Sequence, residues 1–151
     1  MTELLYFEDL TPGRVFEGGR AEMTAEAIIG FARDYDPQPF HTNPEAAKES
    51  FFGGLVASGW HTAAVTMRMM VEVMPIGGGS IGAGIDELRW PRACPAGEVL
   101  SVRMEIVESR PLRSRPGEGL VRTKVSTVNG KGEPVQTMVT NTIVPMRAGG
   151  L

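Results

Sequence analysis

The chain has 151 residues, of which 42% are hydrophobic and 22% charged, values typical of a globular protein with its own core. Its formal net charge of −3 offers no basic surface for nucleic acid, and its single cysteine excludes an internal disulfide. The N-terminus MTELLYFEDL has no signal-peptide pattern, and the most apolar stretch, 60–74, is too short and too polar to span a bilayer, so we expect a cytoplasmic protein with no membrane or nucleic-acid partner.

The first elements in chain order are predicted to be a short strand at 14–16 and a helix over about 25–35. Thr24 can cap this helix, in which apolar residues recur at helical spacing. The helix must end near Asp36, because the following proline disfavours helical geometry in the residue before it.

The segment 37–41 contains two prolines and is predicted to be a stiff loop rather than a helix. An Asn-Pro pair at 43–44 then predicts the cap and first turn of a short helix. A second long helix is expected to begin at Ser58 or Gly59 and to end at about Met74. Because this helix is apolar on most sides, we expect it to be buried.

Beyond residue 80, apolar and polar residues alternate with the period of two that is typical of strands. The predicted strands cover 80–90, 98–108, about 121–127 and 135–145, with an Asn-Gly hairpin turn before the last one. Consecutive strands without intervening helices are expected to be antiparallel. The sequence therefore predicts an α+β fold, with one curved antiparallel sheet around the long helix and a single domain over 1–151. An open sheet edge makes a homodimer the expected minimum assembly.

Asp36 and His41 lie five residues apart around the two prolines. A carboxylate beside an imidazole fixes the tautomer of the ring, and together the two groups can hold a water or a substrate proton. Proline and aspartate are equally common in surface turns, so this pair alone leaves a plain turn open.

Ser58 and Gly59 open the long helix. The free N–H groups of a helix N-terminus can stabilise an oxyanion, and glycine lets a carbonyl approach the backbone closely. An ordinary N-cap is the alternative interpretation. The surrounding GLVASG does not match the nucleophile elbow G-x-S-x-G, so Ser58 is not expected to be a hydrolase nucleophile.

Three further motifs carry weaker signals. The second histidine, His61, is expected to be a hydrogen-bonded residue of the core or one that supports the site from behind, because two histidines and one cysteine at these spacings predict no metal site. The GGGSIG run follows a helix and precedes a strand, the reverse of a dinucleotide site. Arginines at 110, 113 and 115 form either a solvated hairpin loop or a contact for substrate phosphates.

Three segments, FARDYDPQPFH, FFGGLVASGWHTA and RWPRACPAGEVL, resemble the MaoC-like dehydratases, the (R)-specific enoyl-CoA hydratases of the hotdog fold. The resemblance extends over about 7–146. Asp36, Pro39, His41 and the helix start at 57–59 match the pattern of the family in register.

The resemblance implies hydration of a trans-2-enoyl thioester, or the reverse dehydration of a 3-hydroxyacyl thioester. Asp36 and His41 would activate the water, and the N–H of Gly59 would bind the thioester oxygen. The other residues expected to contact the substrate are Tyr35, Gln38, Phe40, Ser58 and Trp60. No cofactor is implied, because coenzyme A or an acyl carrier protein enters as part of the substrate. The site would lie at the interface of a homodimer or a dimer of dimers.

Two positions depart from the family pattern. Gln38 replaces an asparagine, and Tyr35 replaces a glycine often found before the aspartate. Two other functions stay open. A hotdog thioesterase would usually carry its acidic residue on or near the long helix, and that helix contains only Glu72, near its far end. A non-catalytic module that binds acyl thioesters would not require the Asp36/His41 pair.

Overall fold

The computed structural model describes residues 3–148, in which a helix-rich first half is followed by a series of strands. A 3₁₀ turn at Phe7–Asp9 precedes strand β1 (Val15–Glu22) and the helices α1 (Ala25–Tyr35), α2 (Pro39–Thr42), α3 (Pro44–Lys48) and α4 (Gly59–Val73). The remaining strands are β2 (Ile81–Arg89), β3 (Val99–Pro111), β4 (Glu118–Val128) and β5 (Pro134–Pro145).

The five strands form one antiparallel sheet in the order β1-β3-β4-β5-β2. The predicted α+β fold is confirmed, and β2–β5 correspond to the four strands expected after the long helix. The expected hairpin turn joins β4 to β5, where the side-chain oxygen of Asn129 accepts hydrogen bonds from the N–H groups of Lys131 and Glu133, both at 3.0 Å.

Helix α4 packs on one face of this sheet through its buried side. The hydroxyl of Thr66 donates to the carbonyl of Thr62 at 2.8 Å and accepts a hydrogen bond from the hydroxyl of Thr127 on β4 at 2.6 Å. The core between helix and sheet is apolar, with Met69, Leu100, Met104, Ile106, Val121 and Val125 almost fully buried. Burial of this apolar surface is the main force that holds the helix on the sheet.

The expectation that α4 is buried nearly all round was wrong for the chain by itself. Trp60, Met67 and Val71 are 59%, 47% and 61% exposed. The reason is geometric, since the sheet covers only one side of the helix. These apolar side chains form an uncovered outer face.

Two local expectations also needed correction. Strand β1 is longer than predicted, because Gly18 and Gly19 adopt positive φ and allow the strand to continue through a bulge. The segment predicted to be a stiff loop contains the single-turn helix α2, which begins at Pro39. Proline is compatible with the first turn of a helix, because the N–H it lacks has no intrahelical partner there.

None of the helices within residues 3–148 has the length and apolar character needed to cross a membrane.

Candidate functional site

The end of α1 places Asp36, and the single turn of α2 places His41. Asp36 caps α1, and its N–H donates to the carbonyl of Ala32 at 2.9 Å. The carbonyl of Gln38 then accepts the N–H of His41 at 2.9 Å. The short connection between the two helices therefore holds both side chains on the same side of the chain.

The segment that leads into α4 is held between two other parts of the chain. The N–H of Val56 donates to the carbonyl of Phe40 at 3.1 Å, and the N–H of Ala57 donates to the carbonyl of Cys94 at 2.9 Å. An isolated antiparallel bridge joins Val56 to Pro95. These contacts bring the N-terminus of α4 against α2.

His41 is buried, with its ring held in one orientation by the backbone. Its Nδ1 lies 2.7 Å from the carbonyl oxygen of Val56. Because a carbonyl oxygen only accepts hydrogen bonds, Nδ1 must carry the proton. Nε2 lies 3.4 Å from Oδ2 of Asp36. In neutral His41, Nε2 and Oδ2 of Asp36 can both only accept hydrogen bonds. A water that donates to both atoms, or a proton on Nε2, would supply the missing hydrogen. This is the arrangement of a general acid or base.

Asp36 connects His41 to the start of α4. Its Oδ2 accepts a hydrogen bond from the hydroxyl of Ser58 at 2.7 Å, and its Oδ1 accepts one from the amide of Gln38 at 2.6 Å. Partial burial raises the pKa of Asp36, but the hydrogen bonds from Ser58 and Gln38 and the charge that His41 can carry outweigh it, and the net pKa lies below the ordinary value. Asp36 is therefore ionised at neutral pH.

Replacing Ser58 with alanine is expected to move the acidic limb of the pH–rate profile to higher pH. The substitution removes a hydrogen bond that favours the ionised carboxylate, so the pKa of Asp36 rises and the carboxylate is protonated earlier as the pH falls. The measurement is kcat/KM against pH, compared with Ser126→Ala on the sheet. An acidic limb that stays in place, or moves to lower pH, contradicts this assignment.

Gly59 is the first residue of α4, directly after the buried cap Ser58. Within residues 3–148 the N–H of Gly59 has no hydrogen-bond partner, whereas the next N–H, of Trp60, donates to the Ser58 hydroxyl at 3.3 Å. A Cβ at Gly59 would lie 2.6 Å from Cε2 of Trp90, so only glycine fits beneath this indole. The free N–H at a helix N-terminus is a donor for a carbonyl oxygen or an oxyanion.

A cavity of about 220 Å³ lies beside His41 and Gly59. It is lined by His41, Phe52, Val56, Ala57, Gly59, Thr62, Trp90, Arg92, Ala93, Cys94 and Val135. Of the sequence-predicted residues, His41 and Gly59 line this cavity, whereas Asp36 and Ser58, hydrogen-bonded to each other, are outside its lining. The other four, Tyr35, Gln38, Phe40 and Trp60, are outside its lining.

Those four residues surround the site in different ways. Gln38 contacts Asp36, as described above. Phe40 packs edge-on against His41, with ring centroids 4.7 Å apart. Tyr35 is 72% exposed, and Trp60 lies on the outer face of α4 with its ring edge-on to Trp90.

The segment between β2 and β3 supplies four lining residues that sequence reasoning did not assign, namely Trp90, Arg92, Ala93 and Cys94. Trp90 donates its indole N–H to the side-chain oxygen of Gln136 at 2.8 Å, and Arg92 forms an ion pair with Glu133 at 3.0 Å. Burial, followed by the charge of Glu98, raises the pKa of Cys94 to about 11, so this residue stays a thiol at neutral pH. The only sequence signal for these lining residues was the RWPRACPAGEVL segment, one of the three that carry the family resemblance.

The weaker motifs lie away from this cavity. His61 stacks on Phe31, with centroids 4.8 Å apart, and burial lowers its pKa, as for a core residue. The expected hydrogen bond is not seen at Nδ1, which is buried and has no partner within residues 3–148. Arg113 lies in the turn at the opposite end of the 13-residue strand β3 from Cys94. This turn is a solvated hairpin loop, in which Arg115 pairs with Glu118 at 3.2 Å.

Three known proteins similar to this chain are named as dehydratases or as a hydratase. A MaoC-like dehydratase from Rhodospirillum rubrum has a TM-score of 0.89 and 44% sequence identity, over 95% of this chain and 98% of that one. The 3-hydroxyacyl-thioester dehydratase Z of Mycobacterium tuberculosis is 30% identical over 104 residues, 66% of each chain. The R-hydratase PhaJ1 from Pseudomonas aeruginosa has a TM-score of 0.76 at 24% identity, over 94% of this chain and 86% of that one, and this likeness shows the fold.

These structural relatives confirm the expected hotdog fold. The family model described as MaoC like domain matches residues 9–129, most of the chain, including both helices and the loop that build the cavity. The chain therefore belongs to the MaoC-like dehydratase family.

Proposed function

We propose that this protein adds water to the double bond of a trans-2-enoyl thioester, or removes it from a 3-hydroxyacyl thioester. The observation that carries the proposal is the side-chain pair Asp36/His41, 3.4 Å apart, with His41 and the unpartnered N–H of Gly59 at one cavity. Membership of a family of dehydratases supports a hydro-lyase in general. The thioester substrate and the roles of these residues are the proposal.

The first step is polarisation of the thioester. Its carbonyl oxygen would accept the N–H of Gly59, where the positive end of the α4 dipole also favours negative charge. Addition of water to C3 moves the π electrons of the C2=C3 bond towards this oxygen and forms an enolate. Because the N–H is already in place before the reaction, it stabilises the enolate charge without any rearrangement of the protein. This stabilisation is the largest contribution to the rate that we expect from the backbone.

The second step is proton transfer. A water held between Oδ2 of Asp36 and Nε2 of His41 attacks C3, which forms the C–O bond. The proton lost by the water passes to the Asp36/His41 pair, and the pair returns a proton to C2 as the enolate collapses. The net change is one water added, with no oxidant or reductant. His41 can act at Nε2 because Val56 holds the proton on Nδ1.

We propose that coenzyme A or an acyl carrier protein enters as part of the substrate and that the protein needs no separate cofactor. The cavity holds only the reacting end of such a molecule, so the carrier must extend outwards. Arg92 is the cation in the lining, and its guanidinium is partly exposed. It is placed to meet an anionic group of the carrier.

We also propose that the protein works as a homodimer. Strand β2 is a sheet edge bonded on one side to β5, and its Ile81 and Ile85 are exposed. The outer face of α4 is apolar and equally uncovered. A second copy would cover both surfaces, and light scattering in solution is expected to give a multiple of the 16.3 kDa chain mass. A monomer at micromolar concentration contradicts this assembly.

The activity is tested with crotonyl-CoA and longer enoyl-CoAs. Loss of the enoyl absorbance and release of free thiol are followed in parallel. Hydration without thiol release is the expected result. Thiol release identifies a thioesterase instead. If neither occurs, but acyl-CoA raises the melting temperature, the protein is a binding module and the proposal is overturned.

A further inference from the structure

We propose that Trp90 makes this site selective against thioesters that carry a substituent at C2. The proposal rests on the proposed function and concerns which enoyl groups fit beside Gly59. Its starting observation is that Trp90 both lines the cavity and packs directly on the glycine whose N–H would bind the thioester oxygen.

The indole of Trp90 is fixed on two sides. Its N–H donates to the side-chain oxygen of Gln136, a fully buried residue on β5, at 2.8 Å. Its ring also meets Trp60 edge-on, with centroids 5.4 Å apart. Moving the ring would leave the buried oxygen of Gln136 without its strong donor, which is unfavourable. Although Trp90 is 40% exposed, these two contacts hold its ring in place as a wall of the cavity.

The position of this wall decides which part of the substrate it contacts. A carbonyl oxygen bound to the N–H of Gly59 would lie about 2.9 Å from the nitrogen. C2 of the acyl group is two bonds from that oxygen. The indole lies against Gly59 itself, where even a Cβ would be only 2.6 Å from Cε2. Trp90 therefore borders the first carbons of the acyl group, and the far end of the chain extends beyond it.

The size of the cavity supports the same conclusion. Its volume of about 220 Å³ is smaller than the roughly 300–1,000 Å³ that is usual for ligand pockets. The lining also contains His41, whose ring is held by Val56 and by the edge contact with Phe40. Because both Trp90 and His41 are held in place in this small lining, we expect an added methyl at C2 to meet the indole unless Trp90 is replaced.

The test compares hydration of crotonyl-CoA with that of its 2-methyl derivative, (E)-2-methylbut-2-enoyl-CoA. One methyl group in an apolar pocket typically changes kcat/KM by about 10–200-fold. We expect the wild type to prefer crotonyl-CoA and Trp90→Leu to reduce that preference at least about tenfold. The different intrinsic reactivities of the two thioesters cancel when the variant is compared with the wild type.

A matched control is available at the other end of the sheet. Phe7 packs on Gly119 as Trp90 packs on Gly59, but Phe7 lies outside the cavity. Phe7→Leu should therefore leave the preference unchanged. Gln136→Met removes the acceptor of the indole N–H at nearly constant volume. It should shift the preference in the same direction as Trp90→Leu, which a purely structural effect on folding would not do.

Each outcome has a distinct meaning. A wild type that hydrates crotonyl-CoA and its 2-methyl derivative equally well, or a preference that is unchanged in Trp90→Leu, overturns the role of Trp90 and leaves the proposed function intact. A wild type that hydrates no enoyl thioester overturns the proposed function, and the selectivity with it. If Trp90→Leu does not fold, Trp90→Phe and Gln136→Met supply the same comparison, and an unchanged preference in both overturns the inference.

Discussion

Replacing Asp36 with asparagine, or His41 with alanine, is expected to lower kcat/KM for enoyl-thioester hydration by about 10²–10⁴-fold. Asparagine keeps the shape of the Asp36 side chain but lacks the charge that would accept a proton. Alanine at position 41 removes the nitrogen that faces Oδ2 of Asp36 at 3.4 Å. The quantities to measure are kcat/KM with crotonyl-CoA and the circular dichroism and melting temperature of each variant.

The matched control for this result is Asp34→Asn. Asp34 is an exposed carboxylate two residues before Asp36, on the last turn of α1. Its replacement changes the net charge by the same amount and is expected to leave hydration near the wild-type rate. The assignment of Asp36 and His41 is contradicted if either site variant folds and retains a near-wild-type rate.

The second large effect is expected for Gly59→Ala. The new Cβ would meet the indole of Trp90 at 2.6 Å, so either the ring or the first turn of α4 must move. Either movement misplaces the N–H that would bind the thioester oxygen. Loss of one such donor typically costs about 10²–10³ in rate. Because the donor acts mainly in the transition state, kcat and kcat/KM should fall together.

Gly119→Ala separates this effect from a simple loss of stability. A Cβ at Gly119 would clash with the ring of Phe7, in the same kind of glycine–aromatic contact away from the cavity. The melting temperatures of both variants should fall, but the folded fraction of Gly119→Ala should hydrate crotonyl-CoA at the wild-type rate. If Gly59→Ala hydrates crotonyl-CoA as fast as Gly119→Ala, the N–H of Gly59 is not the oxyanion donor.

Local signals in the sequence predicted much of the fold. Thr24 caps α1 through a hydrogen bond from the N–H of Ala27 at 3.1 Å, and Ser58 caps α4 in the same way. The period-two alternation predicted β3–β5 because one face of these strands lies on the core, which forces alternate residues inwards. Strand β2 was also predicted, although nearly all of its residues are exposed in the chain. Asp36, His41 and Gly59 were predicted because their motifs are short and continuous in sequence.

Features that depend on distant contacts were not predicted. Trp90 reaches the site only because the segment after β2 pairs with the residues before α4, at Val56 and Pro95. Its partner Gln136 lies 46 residues further along the chain, on β5. Such pairings leave no periodic pattern in the sequence. The exposure of the outer face of α4 in the single chain was not predicted for a related reason. Apolar side chains indicate that a surface tends to be buried, but not whether the same chain or a second one buries it.

The most direct test of the central claim is to follow oxygen from labelled water into the product. Wild-type protein is incubated with crotonyl-CoA in oxygen-18-labelled water, and the products are analysed by mass spectrometry. If Asp36 and His41 direct water to C3, the label is expected in the hydroxyl of an intact 3-hydroxybutyryl thioester, and this product should be nearly absent with Asp36→Asn. Label in a free carboxylic acid, or equal labelling by both proteins, would contradict the account.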